Sequence, residues 1–291
     1  MSRKRRFCDR KEGRLLRSLP AFNKFIPYIM PTRVDRLNYY EESFEVTELD
    51  RRLRKLRVNG YKGIGILHFL IAAYIRGVSR FPAMNRFVVG RRVFSRDNIE
   101  VVMTVKRSLS IDATETTIKV EFAPTDTIFD VYEKMNEKIN EIKMDDESND
   151  TEVVAETLCK APRFLLRMAL GILRMLDYFG WLPQSIIDAS PFHGSMIITD
   201  LGSLGIGPVY HHIYNFGTLP VFIAFGAKYH KYELDRHGEM VDRKYIDCKF
   251  SMDEGTVDGH YYAQFLKAVR YMFLHPEIVE TPPVNVNEDI F

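Results

Sequence analysis

The chain of 291 residues is 46% hydrophobic and 27% charged, a composition typical of a soluble globular domain. Its formal net charge of +2 gives no global reason to expect a nucleic-acid-binding protein. Three cysteines (Cys8, Cys159 and Cys248) lie far apart without a CxxC pair. This spacing argues against a disulfide framework or a zinc site and favours a reducing, cytoplasmic location.

The first 24 residues are strongly basic, with nine Lys or Arg against two acidic residues. Few aromatic residues are interleaved with these charges, so base stacking is not expected. We predict that residues 1–24 form a basic arm that is solvated or wraps around another subunit. Binding of a nucleic acid or another anionic surface is a weaker alternative. Residues 27–33 carry two prolines and are predicted to be extended.

The first half of the chain contains both helical and strand periodicities. Residues 42–48 fit a short strand or the start of a helix, and the pattern does not decide between them. A helix is predicted over 65–79, and a strand, tight turn and strand over 87–94. The remaining predicted elements are β-branched strands at 99–105 and 116–122, paired around a 108–115 loop, and a helix with its apolar stripe over 128–142.

The middle of the chain combines an acidic stretch with an apolar helical pattern. Residues 145–150 are predicted to be an exposed linker, and helical periodicity covers 153–179 with a kink or break at Pro162. Arg167, Arg174 and Asp177 interrupt the pattern, so a membrane-spanning helix is not expected. We predict a helix that caps a sheet through its apolar face, with a membrane-surface helix as the less favoured alternative. That face consists of Leu165, Leu166, Ala169, Leu170, Leu173 and Leu176.

The second half is predicted to complete a mixed sheet. Its elements are strands at 196–199 and 219–225, a hairpin of 229–234 and 240–250 around 235–239, and a final helix at 257–274. Because strands arrive both as hairpins and separated by helices, the pattern indicates an α/β fold with a mixed sheet and flanking helices. We predict one domain over 25–275 and a surface tail over 276–291.

Three sites are considered and not favoured. Residues 202–207 are glycine-rich, but Pro208 follows where a phosphate-binding loop needs a helix. His211 and His212 are adjacent, and on extended backbone they would face opposite directions, so one metal ion would rarely bind both. His193 has no obvious acidic partner in the nearby sequence.

Two stretches resemble motifs of one enzyme family. Residues 194–202 read GSMIITDLG, similar to the family run G-G-x-F-T-I-[ST]-[SN]-L-G, and residues 253–259 read DEGTVDG, similar to D-H-R-x-x-D-G. The family is the catalytic domain of the dihydrolipoyl acyltransferases of 2-oxo acid dehydrogenase complexes, related in fold to chloramphenicol acetyltransferase. Weaker similarities in the same order extend the resemblance over most of the chain: Pro27–Met30 with Thr32 and Arg33, Pro82–Phe87, Ala263–Leu266, and His275–Glu277.

This resemblance implies a homotrimer with active sites between subunits, supplied with acyl-coenzyme A as substrate and using no metal. A lipoyl-bearing protein is an implied partner, although the chain has no lipoyl-attachment hairpin of its own. By position, Thr199 would donate a hydrogen bond to the oxyanion. Asp258 would form an orienting ion pair, with Arg33 as its loosely matched partner.

The departure from the family lies at the catalytic base. Glu254 stands at the position of the motif histidine, and Gly255 at that of the arginine. A glutamate, with an ordinary pKa of about 4.3, matches a thiol of about 8.5 less well than histidine at about 6.5. The difference corresponds to about a hundredfold in rate if it appears fully in the barrier. Burial can restore basicity to a carboxylate. His260, at the start of the last helix, is a less favoured replacement base.

Two functions follow from this comparison. The first is an acyltransferase that moves an acyl group between coenzyme A and a thiol, hydroxyl or amine, with Glu254, Thr199 and Asp258 in the site. The second is a non-catalytic trimeric binding or assembly module of the same fold, which the missing histidine favours.

Overall fold

A computed structural model describes residues 5–106, 115–144, 160 and 162–291. The helices are α1 (Ala21–Ile29), α2 (Thr47–Val58), α3 (Ile66–Arg80), α4 (Ile128–Met144), α5 (Arg163–Phe179), α6 (Gln184–Ala189) and α7 (Gly259–Leu274). The strands are β1 (Gly13–Leu15), β2 (Leu37–Glu45), β3 (Arg86–Val89), β4 (Arg92–Arg96), β5 (Ile99–Lys106), β6 (Glu115–Phe122), β7 (Met196–Asp200), β8 (Val221–Phe225), β9 (Tyr229–Leu234) and β10 (Met240–Asp253).

The larger of the two sheets that the described residues form has the strand order β2-β10-β8-β7-β5-β6, and β9 pairs with the first half of β10. Strand β7 runs parallel to both β5 and β8, and the other pairs are antiparallel. The predicted mixed sheet, the hairpin of β9 and β10 and the pairing of β5 with β6 are therefore confirmed. The predicted 108–115 loop and the 145–150 linker lie largely or wholly outside the described residues. The ambiguous 42–48 stretch contains both elements, since β2 ends at Glu45 and α2 begins at Thr47.

The main hydrophobic core lies between this sheet and the helices α3 and α7. Phe44 of β2 stacks on Phe273 of α7 at 4.3 Å, and Phe69 of α3 meets the same ring edge-on at 4.9 Å. Gly77 allows α3 to approach α7 closely, because a Cβ at this position would collide with the ring of Phe265. The core therefore anchors both ends of the chain segment that carries the 253–259 motif.

Residues 5–24 of the basic N-terminal segment pack against their own chain, in contrast to the predicted arm that is solvated or wraps around another subunit. Strand β1 pairs with β4, which pairs with β3, to make a small antiparallel sheet. Leu16 and Leu19 are buried with Val88 and Val93 in a separate small core. Charge did not keep this segment in solvent because its apolar residues pack and its buried Arg10 is paired with Asp177.

Helix α1 was also not predicted. It contains Pro27 as its seventh residue, and this proline, considered in the sequence alone, favours extended chain. A proline in a helix costs the hydrogen bond to the carbonyl four residues earlier. Helix α1 ends only two residues later, at Ile29, so little helix is disturbed.

The C-terminal tail is anchored more firmly than the predicted surface tail. Residues Pro276–Glu280 form a 3₁₀ helix, and the side chain of Asp289 is buried against Arg86. The Nε of Arg86 donates to Asp289 at 2.7 Å. The main chain of Ile290 accepts from Arg14, so the tail also holds the N-terminal segment.

Helix α5 differs most from its prediction. It begins immediately after Pro162, while most of the predicted 153–161 helical part lies outside the described residues. Of its six predicted sheet-facing side chains, Leu165 and Leu170 are exposed and the other four are half-buried, while the buried residue of the helix is Asp177. Within the described ranges, no helix has both the length and the hydrophobicity required to span a bilayer.

The anchoring of the tail can be tested by Asp289→Ala. This change leaves Arg86 as an unpaired buried charge, and we expect it to lower the free energy of unfolding by about 3–5 kcal/mol. The neighbouring change Glu288→Ala removes an exposed carboxylate and should have an effect within about 0.5 kcal/mol. Urea unfolding monitored by circular dichroism measures both. Equal effects of the two changes would contradict an anchoring role for the Arg86–Asp289 pair.

Candidate active site

The 253–259 motif begins with a buried carboxylate at the end of β10. Asp253 is 1% exposed and receives a two-pronged interaction from Arg36, with Nε to Oδ1 at 2.7 Å and Nη2 to Oδ2 at 3.0 Å. The Nε of Arg33 lies 3.6 Å from the same carboxylate. We call Asp253, Arg33 and Arg36 the Asp253 clamp. Bidentate arginine–carboxylate pairs are strong and geometrically specific, so the clamp fixes the backbone from which the next residue projects.

Glu254 projects from this clamp toward solvent. Its amide donates to the carbonyl of Arg36 at 2.9 Å, while its side chain lies on an exposed residue. The backbone is thus held on both sides and the carboxylate is free to face a partner. A carboxylate presented in this way can accept a proton or a hydrogen bond from a group outside the chain.

Gly255 has a structural reason to be glycine. A Cβ built on it would lie 2.7 Å from Nε and 2.8 Å from Cδ of Arg36. The amide of Gly255 also donates to Asp253 at 2.9 Å. The arginine that the family motif carries here has no space, because Arg36 already occupies it from another part of the chain.

Arg33 forms a different ion pair from the one expected. Its nearby carboxylate is Asp253, whereas Asp258 accepts a hydrogen bond from the amide of Tyr261 at 2.8 Å and caps α7. The guanidinium of Arg33 also donates to the carbonyls of Tyr214 at 2.8 Å and Val88 at 3.0 Å. Burial lowers the pKa of Arg33 to about 10, although Asp253 opposes the shift, so the group stays cationic at neutral pH. The predicted pair of Arg33 with Asp258 is replaced by a pair with Asp253.

Arg36 and Asp253 were missed as site residues by the sequence analysis. Asp253 was within the quoted motif, and Arg36 lies three residues after the loosely matched Arg33. The signal that would have found them is strand register: Asp253 pairs with Leu37, the first residue of β2, which places Arg36 beside it. His260 lies on the exposed first turn of α7 and its candidacy as a base stays untested.

Thr199 lies at the opposite end of the sheet from Glu254. It pairs with Ala224 of β8, which pairs with Lys249 of β10. Glu254 is five residues beyond Lys249, a distance of roughly 16 Å along the strand. Thr199 and Glu254 of one chain therefore cannot act on the same bond. Only two copies of the chain, placed end to end, could bring these side chains together.

Thr199 is followed by a carboxylate that the sequence analysis did not single out. Burial raises the pKa of Asp200, and its hydrogen bond from the amide of Ser203 at 2.9 Å offsets this only in part. The half-buried hydroxyl of Thr199 and the carboxyl of Asp200 thus form a polar end to β7. The hydroxyl of Thr199 can donate a hydrogen bond to a developing oxyanion, whereas the carboxyl of Asp200 accepts one from the amide of Ser203.

The glycine-rich stretch after β7 does not have phosphate-loop geometry. Residues Gly202–Leu204 form a 3₁₀ turn, and the described backbone over 205–220 is neither helix nor strand. His211 stacks on Phe222 at 4.3 Å, and His212 packs edge-on to Tyr214 at 5.3 Å. The two imidazoles are thus engaged with different aromatic rings.

His193 has an acidic neighbour, in contrast to the expectation. Its Nε2 lies 3.5 Å from Asp177 of α5, and its Nδ1 is 2.8 Å from Oγ of Ser190. Burial opposes ionisation of Asp177, but contacts with His193 and Arg10 outweigh it and lower the pKa of Asp177. Because Ser190 and His193 are buried, this serine–histidine–aspartate group is closed to substrate. It anchors the end of α5 to the domain.

The crowding at Gly255 is testable with a matched pair of substitutions. We expect Gly255→Ala to lower the free energy of unfolding by about 1–3 kcal/mol, because the new methyl group collides with Arg36. Gly259→Ala meets no atom within 4 Å at the start of α7 and should be neutral or slightly stabilising.

A double-mutant cycle with Arg36→Ala identifies the cause of this effect. The two changes should show a coupling of about 0.5–3 kcal/mol in urea unfolding, because removing Arg36 also removes the collision. Strict additivity would show that Arg36 does not exclude a side chain at position 255.

Comparison with solved structures shows which fold this is. A probable dihydrolipoamide acetyltransferase from Listeria monocytogenes 4b F2365 is similar over 88% of this chain and 93% of its own, with a TM-score of 0.56 and 14% identity. A truncated catalytic core of the 2-oxoacid dehydrogenase multienzyme complex from Thermoplasma acidophilum is similar over 89% of this chain and 97% of its own, with a TM-score of 0.55 and 14% identity. A chloramphenicol acetyltransferase is similar over 87% of this chain and 94% of its own, with a TM-score of 0.55 and 12% identity.

No protein-family model matches the chain, and the comparison with curated proteins found no similar sequence. At 12–14% identity the likeness concerns the backbone and not the chemistry. The chain therefore has the chloramphenicol acetyltransferase-like fold that dihydrolipoamide acetyltransferase cores also have.

Proposed function

We propose that this chain is a coenzyme A-dependent acyltransferase that works as a homotrimer, with each site formed by Glu254 of one subunit and Thr199 of the next. The observation that carries the proposal is the rigid presentation of Glu254 by the Asp253 clamp, at the end of the sheet opposite Thr199. A site divided in this way functions only between copies, and a heterologous interface that closes into a ring supplies such a contact.

The proposed reaction transfers an acyl group by nucleophilic attack on a thioester. Glu254 takes the proton of the attacking thiol, hydroxyl or amine as the new bond to the acyl carbon forms. Thr199 of the neighbouring subunit donates a hydrogen bond to the oxyanion of the tetrahedral intermediate. The intermediate then collapses, the bond to the leaving group breaks, and that group receives the proton from Glu254.

Replacement of the usual histidine by glutamate is compatible with this reaction if the site is closed. Glu254 is exposed in the single chain, and a neighbouring subunit would remove water from it. A carboxylate withdrawn from water becomes a stronger base. We propose Asp258 as a structural residue of the site, since it caps α7 directly after the motif.

The nature of the acceptor is a second part of the proposal. Among the structures of similar fold are a dihydrolipoamide acetyltransferase and the cubic core of the pyruvate dehydrogenase multienzyme complex, the latter with 13% identity. Because dihydrolipoamide is a dithiol, this likeness supports a thiol acceptor, including a lipoyl group on a partner protein, as the first acceptor to test.

The competing function is a non-catalytic assembly module of the same fold. Glu254 in place of histidine favours it, and so does the absence of an arginine at position 255. The two functions differ in one measurable respect, because only the enzyme requires the side chains of Glu254 and Thr199 for turnover.

We expect Glu254→Gln and Thr199→Ala each to lower kcat by about 10²–10³, because one removes the base and the other an oxyanion donor. Chromatographic measurement of coenzyme A and S-acetyldihydrolipoamide formed from acetyl-coenzyme A and dihydrolipoamide gives the turnover. Glu239→Gln and Thr281→Ala change exposed residues of the same types away from the site and should leave kcat unchanged.

Mixing the two inactive variants tests the divided site. If they are unfolded and refolded together in equal amounts, about one quarter of the sites should combine an intact Glu254 with an intact Thr199, given random assembly of a ring. Activity should therefore return to about a quarter of the wild-type value. No recovery in a mixture that assembles normally would contradict a site shared between subunits. Wild-type protein without turnover over a panel of thiol, hydroxyl and amine acceptors would support the assembly module.

A further inference from the structure

The outer face of α5 is apolar along its whole length. Five large side chains follow one another at spacings of three or four residues and are between 46% and 68% exposed: Phe164, Met168, Ile172, Met175 and Phe179. Trp181, which stacks on Phe179 at 5.1 Å, extends this face by a further exposed ring. The side of the helix that faces the domain is a different one and contains Leu166, Leu173 and the buried Asp177. Contiguous exposed apolar surfaces of this kind mark interaction sites.

A narrow basic stripe runs beside this apolar face. Arg163, Arg167 and Arg174 are exposed and share one side of α5, at spacings of four and seven residues. The acidic residue of the helix, Asp177, points inward to Arg10 and His193 and does not neutralise the stripe. The exposed surface of α5 therefore combines an apolar face, an aromatic end and a positive edge.

A neighbouring surface has the same character. The turn between β3 and β4 touches the end of α5, because the carbonyl of Tyr178 lies against Gly90. The next residue, Arg91, lies 5.7 Å above the ring of Tyr28 in α1. Helix α1 exposes a second apolar stripe of Phe22, Phe25 and Ile29.

Between α1 and this turn lies a cleft of about 300 Å³. Apolar side chains, including Leu16, Leu19 and Val93, form part of its wall, and four basic residues form another part: Arg17, Lys24, Arg91 and Arg92. An apolar cleft edged by cations is suited to the boundary between lipid tails and anionic headgroups. We call α5, the β3–β4 turn and α1 the apolar-basic face.

We propose that the apolar-basic face docks on a membrane surface containing anionic lipid, with α5 lying in the plane of the headgroups. Helices that bind membranes in this way carry large apolar residues on one face and Lys or Arg on the other, and aromatic residues sit at headgroup level. Each basic residue near an anionic surface strengthens binding by a similar increment. Docking on anionic lipid therefore gives the exposed arginines a role, whereas a purely apolar contact would not.

The acidic outer strand β2 of a second copy is a poor partner for this face. Such a contact would need carboxylates to meet the arginine stripe. Glu41, Glu42 and Glu45 on the outer strand β2 are already paired within the chain, with Lys249, Arg270 and Arg243 respectively. The charge of the face is thus complementary to anionic lipid and not to this acidic strand.

Sedimentation with lipid vesicles tests the proposal on the full chain. We expect wild-type protein to bind vesicles of phosphatidylcholine with phosphatidylglycerol, and to bind phosphatidylcholine alone more weakly. Met168→Glu on α5 should lower binding about tenfold or more, because it places a charge in the apolar face. The matched change Met240→Glu, on a methionine at the β9–β10 hairpin that is 75% exposed against 56% for Met168, should leave binding unchanged.

The basic stripe is tested separately by replacing Arg163, Arg167 and Arg174 with glutamine. Three charges correspond to roughly a hundredfold loss of binding to the anionic vesicles, with little change for phosphatidylcholine. Replacing Arg51, Lys55 and Lys62, which are exposed on and after α2, removes the same charge elsewhere and should have a small effect.

Three results would overturn the proposal. The first is that wild-type protein stays in solution with anionic vesicles at low salt. The second is equal binding by Met168→Glu and Met240→Glu. The third combines two observations: the wild type does not bind vesicles, and Met168→Glu changes the molar mass measured by light scattering. That result would make α5 a contact between copies of the chain.

Discussion

The structure depends on one buried carboxylate that is shared between two arginines. Asp253 ends the longest strand of the sheet, and Arg36 connects it to the segment that leads into β2. Through Arg33 the same carboxylate is linked to the carbonyls of Tyr214 and Val88, so it joins the main sheet, the long loop before β8 and the small sheet. Charges withdrawn from water are stable only when their hydrogen bonds are nearly complete. The Asp253 clamp satisfies this condition and thereby sets the position of Glu254.

Much of the fold could be predicted because its pattern is local. Alternating and 3.6-residue periodicities identified the central strands and the helices α3, α4 and α7, whose apolar stripes face one continuous core. Elements at the edge of the domain were missed. Strand β1 was not predicted because its segment is highly charged and was interpreted as an arm. Helix α1 was not predicted because it contains Pro27. In both cases tertiary packing of a few apolar residues decided the structure, and this packing is not encoded in the local sequence.

The candidate site could be predicted in its parts but not in its arrangement. The motif positions of Thr199, Glu254 and Asp258 follow from the residue types. The partner of Arg33, the occupant of the space at Gly255 and the separation of Thr199 from Glu254 depend on which strands are neighbours and in what register. The same holds for His193, whose acidic neighbour Asp177 comes from a helix sixteen residues earlier in the chain.

The contact of Gly255 with Arg36 links two distant positions in the evolution of this chain. A large residue at position 255 is compatible with the fold only if position 36 carries a smaller side chain, and Asp253 would then need another cation. Each single change passes through an unfavourable intermediate, which is the condition for epistasis. Proteins with this version of the fold should therefore be recognised by an arginine at position 36 occurring together with a glycine at position 255, and substitutions at either position should be rare without a change at the other.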